Sequence, residues 1–237
     1  MNDERLAVIR RAEAYSHTEA YTNLTLFESG SWLSKPVKSI MEIVPYFQEY
    51  ERFQGLDLGC GIGRNCIPVL QTLRRIPSAM DCVDILELAI EKLKENAEKY
   101  GVDDRINPIV SSVDDYQIEQ NRYDLIIASA VLEHLDSFET LSKKLHQIKN
   151  GLKYGGIACF VVNTSIAEHD KRTQEKQSVQ FEINMQTPAL EDILHAVFAG
   201  FELLKHSVIH YKYDTFRESG ITELDTDVLT YVVRKRS

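Results

Sequence analysis

Three glycines alternate at the end of the first apolar run, in the sequence LDLGCGIGRN at residues 56–65. Glycine allows a ligand to approach the backbone at positions where any Cβ would collide with it. A dinucleotide-binding turn follows the pattern G-x-G-x-x-G, but here the third glycine comes one residue early and Arg64 takes the sixth position. Asp57, just before the turn, would repel a pyrophosphate and would suit a ligand bearing an ammonium or sulfonium group. The run therefore predicts a binding turn for something other than a diphosphate.

A second acid, Asp84, ends the next apolar run, about 20 residues beyond the last glycine of the turn. In doubly wound α/β folds, an acid at this place accepts hydrogen bonds from the ribose hydroxyls of a bound nucleoside. Asp84 could also cap the helix predicted to begin near Leu86. The two roles are compatible, and together with the glycine turn they predict a ligand that contains a ribose.

The elements that position these residues follow from the alternation of short apolar runs with amphipathic stretches. This alternation predicts right-handed crossovers and an α/β fold of the Rossmann-like kind, a doubly wound, mostly parallel seven-stranded sheet with helices on both faces. The last two strands are joined without a helix, which predicts an antiparallel hairpin at one edge. The seven strands are predicted at residues 54–59, 79–84, 106–110, 123–129, 156–163, 201–213 and 227–234.

The chain is predicted to be a single domain spanning residues 1–237. Within it we expect an N-terminal helical cap segment at 1–52 and a cofactor-binding core at 53–163. The polar stretch at 164–187 is predicted to be a lid-like loop, because so long a connection in a compact domain usually forms one. A C-terminal helix and the hairpin would occupy 188–237.

Composition limits the classes of partner. The chain has 237 residues and a formal net charge of −9, and such an excess of acid disfavours a broad nucleic-acid surface. No apolar run approaches the ~20 residues of a membrane helix, and the first residues lack the features of a secretory signal. The four cysteines lack the spacing of a zinc site, so we expect reduced thiols, no metal and a cytoplasmic location.

Four motifs together resemble those of the class I S-adenosylmethionine-dependent methyltransferases. They are LDLGCGIGRN, then CVDI with Asp84, then YDLIIASAVLEHL, then LKYGGIACFVV, in the order and spacing of that family over residues 54–163. The closing hairpin also fits that fold. More loosely, the chain is similar to the small-molecule methyltransferases that include the tellurite-resistance type. Those proteins have a late Phe-x-Phe-like segment, which Phe181-Glu182-Ile183 matches only in its first position.

The resemblance implies that S-adenosylmethionine binds along the carboxyl ends of the strands. The glycine turn would approach the methionine moiety through its backbone, Asp84 would hold the ribose, and Ile85 would pack on the adenine. Where the family often has Gly-Asp-Ala, this chain reads SSVDD, so either Ser112 or Asp114 would accept the bond from the adenine amino group. The predicted cofactor-binding residues are Asp57, Gly59, Cys60, Gly61, Asn65, Asp84, Ile85, Ser112, Val113, Asp114 and Ser129.

The implied reaction is an in-line methyl transfer to an oxygen, nitrogen or sulfur nucleophile of a small molecule, which leaves S-adenosylhomocysteine. Alignment of the reactants is the main contribution of such an enzyme. A hydroxyl or ammonium nucleophile also needs a base, and His134 in LEHLD is the best-placed candidate. The predicted substrate-pocket residues are Tyr15, Tyr21, Trp32 and His134.

The absence of two known motifs limits the chemical class of the methyl acceptor. Residues 129–132 read SAVL rather than the Asn/Asp-Pro-Pro-aromatic signature of amide or adenine methylation, and no Pro-Cys pair supports attack on a pyrimidine. These gaps favour a small molecule over nucleic acid, while a protein acceptor stays open. Two alternatives remain from the residues themselves, a nicotinamide-dinucleotide oxidoreductase of the same sheet type and a non-catalytic, cofactor-binding regulatory domain. The sequence carries no signal for an oligomeric state.

Overall fold

A computed structural model describes residues 3–236, and a mixed sheet of eight strands forms its centre. Met1, Asn2 and Ser237, the ends of the predicted single domain, lie outside the described residues. The strands are β1 (Phe53–Leu58), β2 (Ser78–Asp84), β3 (Ile106–Val110), β4 (Tyr123–Ser129), β5 (Leu152–Asp170), β6 (Lys176–Gln177), β7 (Glu202–Arg217) and β8 (Gly220–Arg234). The α-helices of the same residues are α1 (Asp3–Asn23), α2 (Lys38–Ile43), α3 (Cys66–Thr72), α4 (Glu87–Tyr100), α5 (Phe138–Gly151) and α6 (Thr187–Val197).

The strand order along the sheet is β3-β2-β1-β4-β5-β8-β7, with the two-residue β6 paired to β5. Strands β1 to β5 run parallel, and β8 and β7 add an antiparallel hairpin. The predicted fold class is therefore confirmed. The order reverses direction at β1, which pairs with β2 on one side and β4 on the other. Ligands of such sheets bind outside the carboxyl ends of the strands at this switch point.

The central strands β1, β2 and β4 are buried on both faces, because helices pack on each side of the sheet. Along β1, Leu56 and Leu58 face one apolar cluster together with Leu145 of α5, while Phe53 faces the other cluster. All four side chains are at most 1% exposed. Burial on both faces explains why the parallel strands read as nearly continuous apolar runs.

The segment predicted as a lid-like loop is partly sheet, so this prediction is wrong for residues 164–170. Strand β5 continues to Asp170, paired with β8 and β6. The sequence there is polar, but Thr164 and Glu168 are buried and hydrogen-bonded, Thr164 to the backbone of Asp227 and Glu168 to Arg217. A hydrophobicity pattern did not predict this part of the strand, because its buried residues are polar and their hydrogen-bond partners lie far along the chain. The remaining segment boundaries stay predictions.

The hairpin is longer than predicted at its turn. Strand β7 extends to Arg217 and β8 begins at Gly220, so the two strands pair over nearly their whole length. Within residues 3–236, no helix is both long and apolar enough to cross a membrane.

Candidate active site

A cavity of about 430 Å³ lies at the carboxyl ends of the parallel strands and is covered by α1. This volume is in the range of small-molecule and cofactor sites. The strand ends contribute Gly59, Asp84, Ile85, Leu86, Ser112, Val113, Asp114, Ala130, Val131 and His134 to its wall, α1 contributes Arg10, Arg11, Glu13, Ala14, His17 and Tyr21, and Glu182 completes it. The cavity is therefore at the place where the sheet order predicts a ligand.

The glycine turn needs glycine at two positions, Gly59 on the cavity wall and Gly61 behind it. Gly59 and Gly61 have φ angles of +69° and +52°, in the left-handed region. A Cβ on Gly59 would lie 2.6 Å from Cγ2 of Val131, and a Cβ on Gly61 would lie 2.7 Å from the hydroxyl oxygen of Tyr21. Backbone angle and close packing thus both exclude a side chain there.

The backbone N–H groups of the turn are already used inside the fold. Those of Gly59 and Cys60 both donate to the carbonyl oxygen of Val83, at 2.8 and 3.0 Å, and that of Gly61 donates to Oδ2 of Asp84 at 2.9 Å. A pyrophosphate site requires free N–H groups, which these three residues do not provide. The geometry agrees with the expectation that the turn does not bind a diphosphate.

Asp84 lies on the cavity wall between the glycine turn and α4. Besides Gly61, it accepts a hydrogen bond through Oδ1 from the backbone N–H of Leu86, at 3.0 Å. Leu86 is itself the N-cap residue of α4 and no side chain among residues 3–236 caps that helix, so the capping role predicted for Asp84 is wrong and Asp84 fixes the turn before the helix. Ile85 beside it is 56% exposed, an apolar side chain at the cavity wall with little to cover it. The pair offers a carboxylate and an apolar surface to the same ligand.

Asp57 lies beneath the turn and not on the cavity wall. Its side chain is completely buried, and neither carboxylate oxygen has a hydrogen-bond partner of good geometry among the described residues. Burial and the nearby charge of Asp84 raise the pKa of Asp57 to about 8, against the opposing effect of the Cys66 backbone N–H. Because Asp57 does not line the cavity, the structure offers no direct contact between its carboxylate and a ligand bound there.

Several other predicted residues do not line the cavity. Asn65 accepts a hydrogen bond from the Val37 backbone N–H at 3.1 Å and so fixes the segment before α2. Trp32 lies beside Tyr21, with ring centroids 6.3 Å apart, and only Tyr21 of these two reaches the cavity. The predicted residues that do not line the cavity are Asp57, Cys60, Gly61, Asn65, Ser129, Tyr15 and Trp32.

The loop after β3 brings Ser112 and Asp114 to the cavity wall. The Ser112 hydroxyl donates to Oδ2 of Asp115 at 2.7 Å, which fixes the turn. Asp114 accepts hydrogen bonds from the Asp136 backbone N–H at 3.2 Å and from Arg10 at 3.3 Å. Burial raises the pKa of Asp114. Both candidates for the adenine amino group are therefore at the cavity, and the choice between them stays a prediction.

His134 is held in a cluster of acids. Its Nδ1 lies 3.2 Å from Glu182, and its ring stacks on Phe181 with centroids 5.0 Å apart. Burial lowers the pKa of His134, but the hydrogen bond with Glu182 and the charges of Glu13 and Glu133 outweigh burial and raise it to about 9. At neutral pH His134 therefore carries a proton in the ligand-free protein, which is the form that donates a proton instead of accepting one.

His17 and Glu13 of α1 lie next to His134. Nε2 of His17 is 3.7 Å from Oε2 of Glu13, and Oε1 of Glu13 accepts a 2.6 Å hydrogen bond from Arg217. Burial lowers the pKa of His17, and the charge of His134 adds to the effect. The charge of Glu13 opposes this shift, so the pKa values of the two cavity histidines move in opposite directions, downward for His17 and upward for His134.

Comparison with known proteins favours methyl transfer over the oxidoreductase alternative. Residues 56–156 match the family described as "Methyltransferase domain". Over 110 residues the chain is 30% identical to malonyl-[acyl-carrier protein] O-methyltransferase 1 of Ilyobacter polytropus, a match that covers 46% of this chain and 38% of that protein. Residues 56–156 therefore carry a methyltransferase domain, and its motifs and structural likenesses support the class I S-adenosylmethionine-dependent type. The chain spans less than half of the length of this curated relative.

Two solved structures illustrate the fold that this chain shares with known proteins. TehB from Haemophilus influenzae superposes with a TM-score of 0.60 at 20% identity, covering 83% of this chain and 62% of that one. The 1,6-didemethyltoxoflavin-N1-methyltransferase of Burkholderia thailandensis, solved with its acceptor and S-adenosylhomocysteine, gives 0.59 at 15% identity, covering 100% and 92%. At these identities the likeness shows the fold.

Reasoning from the sequence missed the charged part of the methyltransferase domain's cavity. Arg10, Glu13 and Glu182 were not expected there. Glu13 and Arg217 are 204 residues apart, and His134 and Glu182 are 48 apart, so no local pattern pairs them. The only available signal was the partial match of Phe181-Glu182-Ile183 to a late family segment, which does lie against His134.

Proposed function

We propose that the protein transfers a methyl group from S-adenosylmethionine to an oxygen, nitrogen or sulfur atom of a small molecule inside the cavity beneath α1. The observation that carries this proposal is that one cavity combines the strand ends of a methyltransferase domain with a wall of titratable side chains from α1. The strand ends suit the cofactor, and the titratable side chains of α1 suit a polar acceptor.

The residues present fit S-adenosylmethionine. The turn offers no free N–H to a phosphate at Gly59, Cys60 or Gly61, and Asp84 presents a carboxylate at the cavity wall. We expect Asp84 to accept hydrogen bonds from the ribose hydroxyls, with Ile85 against the adenine and Ser112 or Asp114 near its amino group. When bound, the cofactor supplies a methyl group that its sulfonium makes electrophilic.

The acceptor end of the cavity would be formed by Tyr21, His17 and His134. Helix α1, which carries Tyr21 and His17, lies over His134 at this end of the cavity. A bound acceptor would therefore be shielded from water, which strengthens electrostatic interactions around it. General-base catalysis by His134 would require it to lose the proton that Glu182 and Glu13 stabilise. The size of the cavity under α1 and the net charge of −9 both favour a small molecule over nucleic acid as the methyl acceptor. A cytoplasmic location likewise remains a proposal.

Titration calorimetry with S-adenosylhomocysteine tests the cofactor part of the proposal. We expect saturable 1:1 binding, weakened about tenfold or more (1.4 kcal/mol) by Asp84→Asn. Asp192→Asn, which removes an exposed acid on α6, is the matched control and should bind as the wild type does. A folded wild-type chain that binds no S-adenosylhomocysteine would contradict the proposal. Titration with NADH in the same buffer then tests the oxidoreductase alternative.

Turnover separates the enzyme from a cofactor-binding regulatory domain. Purified protein with S-adenosylmethionine and pooled small-molecule acceptors should release S-adenosylhomocysteine, and release should fall at least tenfold in Asp84→Asn. Binding of S-adenosylhomocysteine without turnover on any acceptor in the pool would favour the regulatory alternative.

A further inference from the structure

We propose that Glu13, His17 and His134 form a binding site for a divalent transition-metal ion, of which Zn²⁺ is the expected occupant. One ligand-type atom from each residue lies within 4.8 Å of the other two. Oε2 of Glu13 is 3.7 Å from Nε2 of His17 and 3.8 Å from Nε2 of His134. All three residues line the cavity.

The donor set matches a known preference of metal ions. Two imidazole nitrogens and one carboxylate oxygen are the protein ligands of many catalytic zinc sites, which keep a fourth position open. Around a tetrahedral Zn²⁺, with bonds of about 2.0–2.1 Å, neighbouring ligand atoms lie about 3.3 Å apart. The two carboxylate–imidazole separations exceed this by about half an ångström, a distance that small side-chain rotations can close.

Two further residues orient the ligands. Glu182 lies 3.2 Å from Nδ1 of His134, so that a proton on Nδ1 leaves the Nε2 lone pair directed at Glu13. Arg217 donates to Oε1 of Glu13, which leaves Oε2 for the two histidines. A carboxylate behind a histidine ligand is the arrangement that fixes its tautomer in metal sites. These partners distinguish the cluster from a chance grouping of titratable side chains.

The fold assembles the site from two elements. Glu13 and His17 are four residues apart on α1 and therefore share one face of the helix. His134 comes from the short turn of helix after β4. Glu13 and Glu182, at 3.8 and 3.2 Å from the two ring nitrogens of His134, supply negative charge beside the position of a divalent cation. The site exists only while α1 is docked on the sheet.

An ion at this site would face the cavity. With three protein ligands, its remaining coordination position would be open to an oxygen atom of a bound molecule, which the ion would polarise as a Lewis acid. This last consequence rests on the proposed methyl-transfer function, whereas binding of the ion does not.

Cobalt(II) is the probe, because its visible absorption reports both binding and ligand geometry. Chelator-treated wild-type protein titrated with CoCl₂ at neutral pH should develop d–d bands that saturate at one ion per chain and disappear when ZnCl₂ is added. No thiolate charge-transfer bands should appear, because the proposed ligands include no cysteine and all four thiols are buried. We expect His17→Ala and Glu13→Gln each to weaken binding at least tenfold, and Glu182→Gln to weaken it about 10–100-fold through orientation of His134.

His146→Ala is the matched control, since His146 is an exposed histidine of α5 outside the cluster, and it should bind Co²⁺ as the wild type does. The proposal is overturned if the wild type shows no saturable d–d bands, or if Glu13→Gln and Glu182→Gln bind Co²⁺ like the control. The three variants remove groups on two separate segments, so that misfolding of one variant leaves the others informative.

S-adenosylhomocysteine calorimetry on the same samples keeps the two proposals apart. Cobalt binding without S-adenosylhomocysteine binding would retain the metal site and contradict the methyltransferase proposal. The opposite result would retain the methyltransferase proposal and remove the metal site.

Discussion

Arg217, near the end of β7, donates a 2.6 Å hydrogen bond from Nη1 to Oε1 of Glu13 on α1. The same guanidinium donates through Nε and Nη2 to both carboxylate oxygens of Glu168 on β5, at 2.7 and 3.2 Å. One side chain of the hairpin therefore joins the sheet to the helix that covers the cavity. Arg217 and Glu168 are 7% and 1% exposed, so this is a buried ion-pair cluster.

Replacing Arg217 should destabilise the protein strongly and loosen α1. In Arg217→Met, the carboxylates of Glu13 and Glu168 lose their shared cation in a buried place. Breaking a buried pair by removing one partner costs about 3–5 kcal/mol. Urea unfolding monitored by circular dichroism measures the loss, and amide hydrogen exchange should increase most in residues 3–23.

Arg11→Met is the matched control, because Arg11 also bridges α1 to the hairpin through Glu218, at 3.0 Å, but on the surface. Exposed ion pairs contribute only about 0–1 kcal/mol, so this variant should unfold close to the wild-type urea concentration. Equal losses in the two variants would contradict the structural role assigned to Arg217.

The buried carboxyl of Asp57 should make stability depend on pH. Its pKa is raised to about 8 in the folded chain, whereas its ordinary value is 3.8. Between these values the folded state holds a proton that the unfolded state releases, so the contribution of Asp57 to the free energy of unfolding falls as pH rises from about 4 to about 8. The slope of this contribution is at most about 1.4 kcal/mol per pH unit.

Asp57→Asn mimics the protonated carboxyl and should remove this contribution. We expect the variant to gain stability relative to the wild type as pH rises through this range, with a constant difference above it. Urea unfolding at half-unit pH intervals measures both curves, and Asp192→Asn, an exposed acid, should follow the wild type. Parallel curves for wild type and Asp57→Asn between pH 4 and 8 would show that Asp57 is ionised throughout.

Alanine substitutions at two glycines, Gly59 and Gly101, can separate the effect of close packing on stability from the effect of backbone strain. Gly59 and Gly101 have almost the same φ, +69° and +67°, but an added Cβ would meet Val131 at 2.6 Å at the first position and nothing within 4 Å at the second. Gly101→Ala should therefore cost only the strain of a left-handed alanine, about 1–2 kcal/mol. Gly59→Ala should cost more, because Val131 must also move.

A double-mutant cycle identifies the cause. Val131→Ala should recover part of the stability lost in Gly59→Ala, while the strain common to both glycine positions remains. Calorimetric melting of the four proteins measures the coupling. If Gly59→Ala were no more destabilising than Gly101→Ala, the packing of Val131 on the turn would not be the reason for glycine at position 59.

Local pattern was sufficient for the parallel core of the sheet. Strands β3 and β4 have the predicted bounds, and the bounds of β1 and β2 differ from the prediction by one residue, because each of the four is a short apolar run between turns. Strands β1, β2 and β4 owe this pattern to burial on both faces, whereas β3 lies at the sheet edge and is only partly buried. The same reasoning found Asp84 and Ile85 beside the glycine turn, since the chain order of a βαβ unit fixes which strand ends are neighbours. It failed where polar residues are buried against distant partners, as at Thr164 and Glu168 in β5.

Sequence pattern alone predicted the order of strands and helices and the glycine turn after β1, because both depend on contacts between neighbours in the chain or in one βαβ unit. Three-dimensional packing was needed to show that α1 covers the cavity and that Glu13, His17 and His134 meet there. Those contacts join segments more than 100 residues apart through single side chains, and no periodicity in the sequence records such pairing. The same packing decided the protonation of His134, because that depends on which charges surround it.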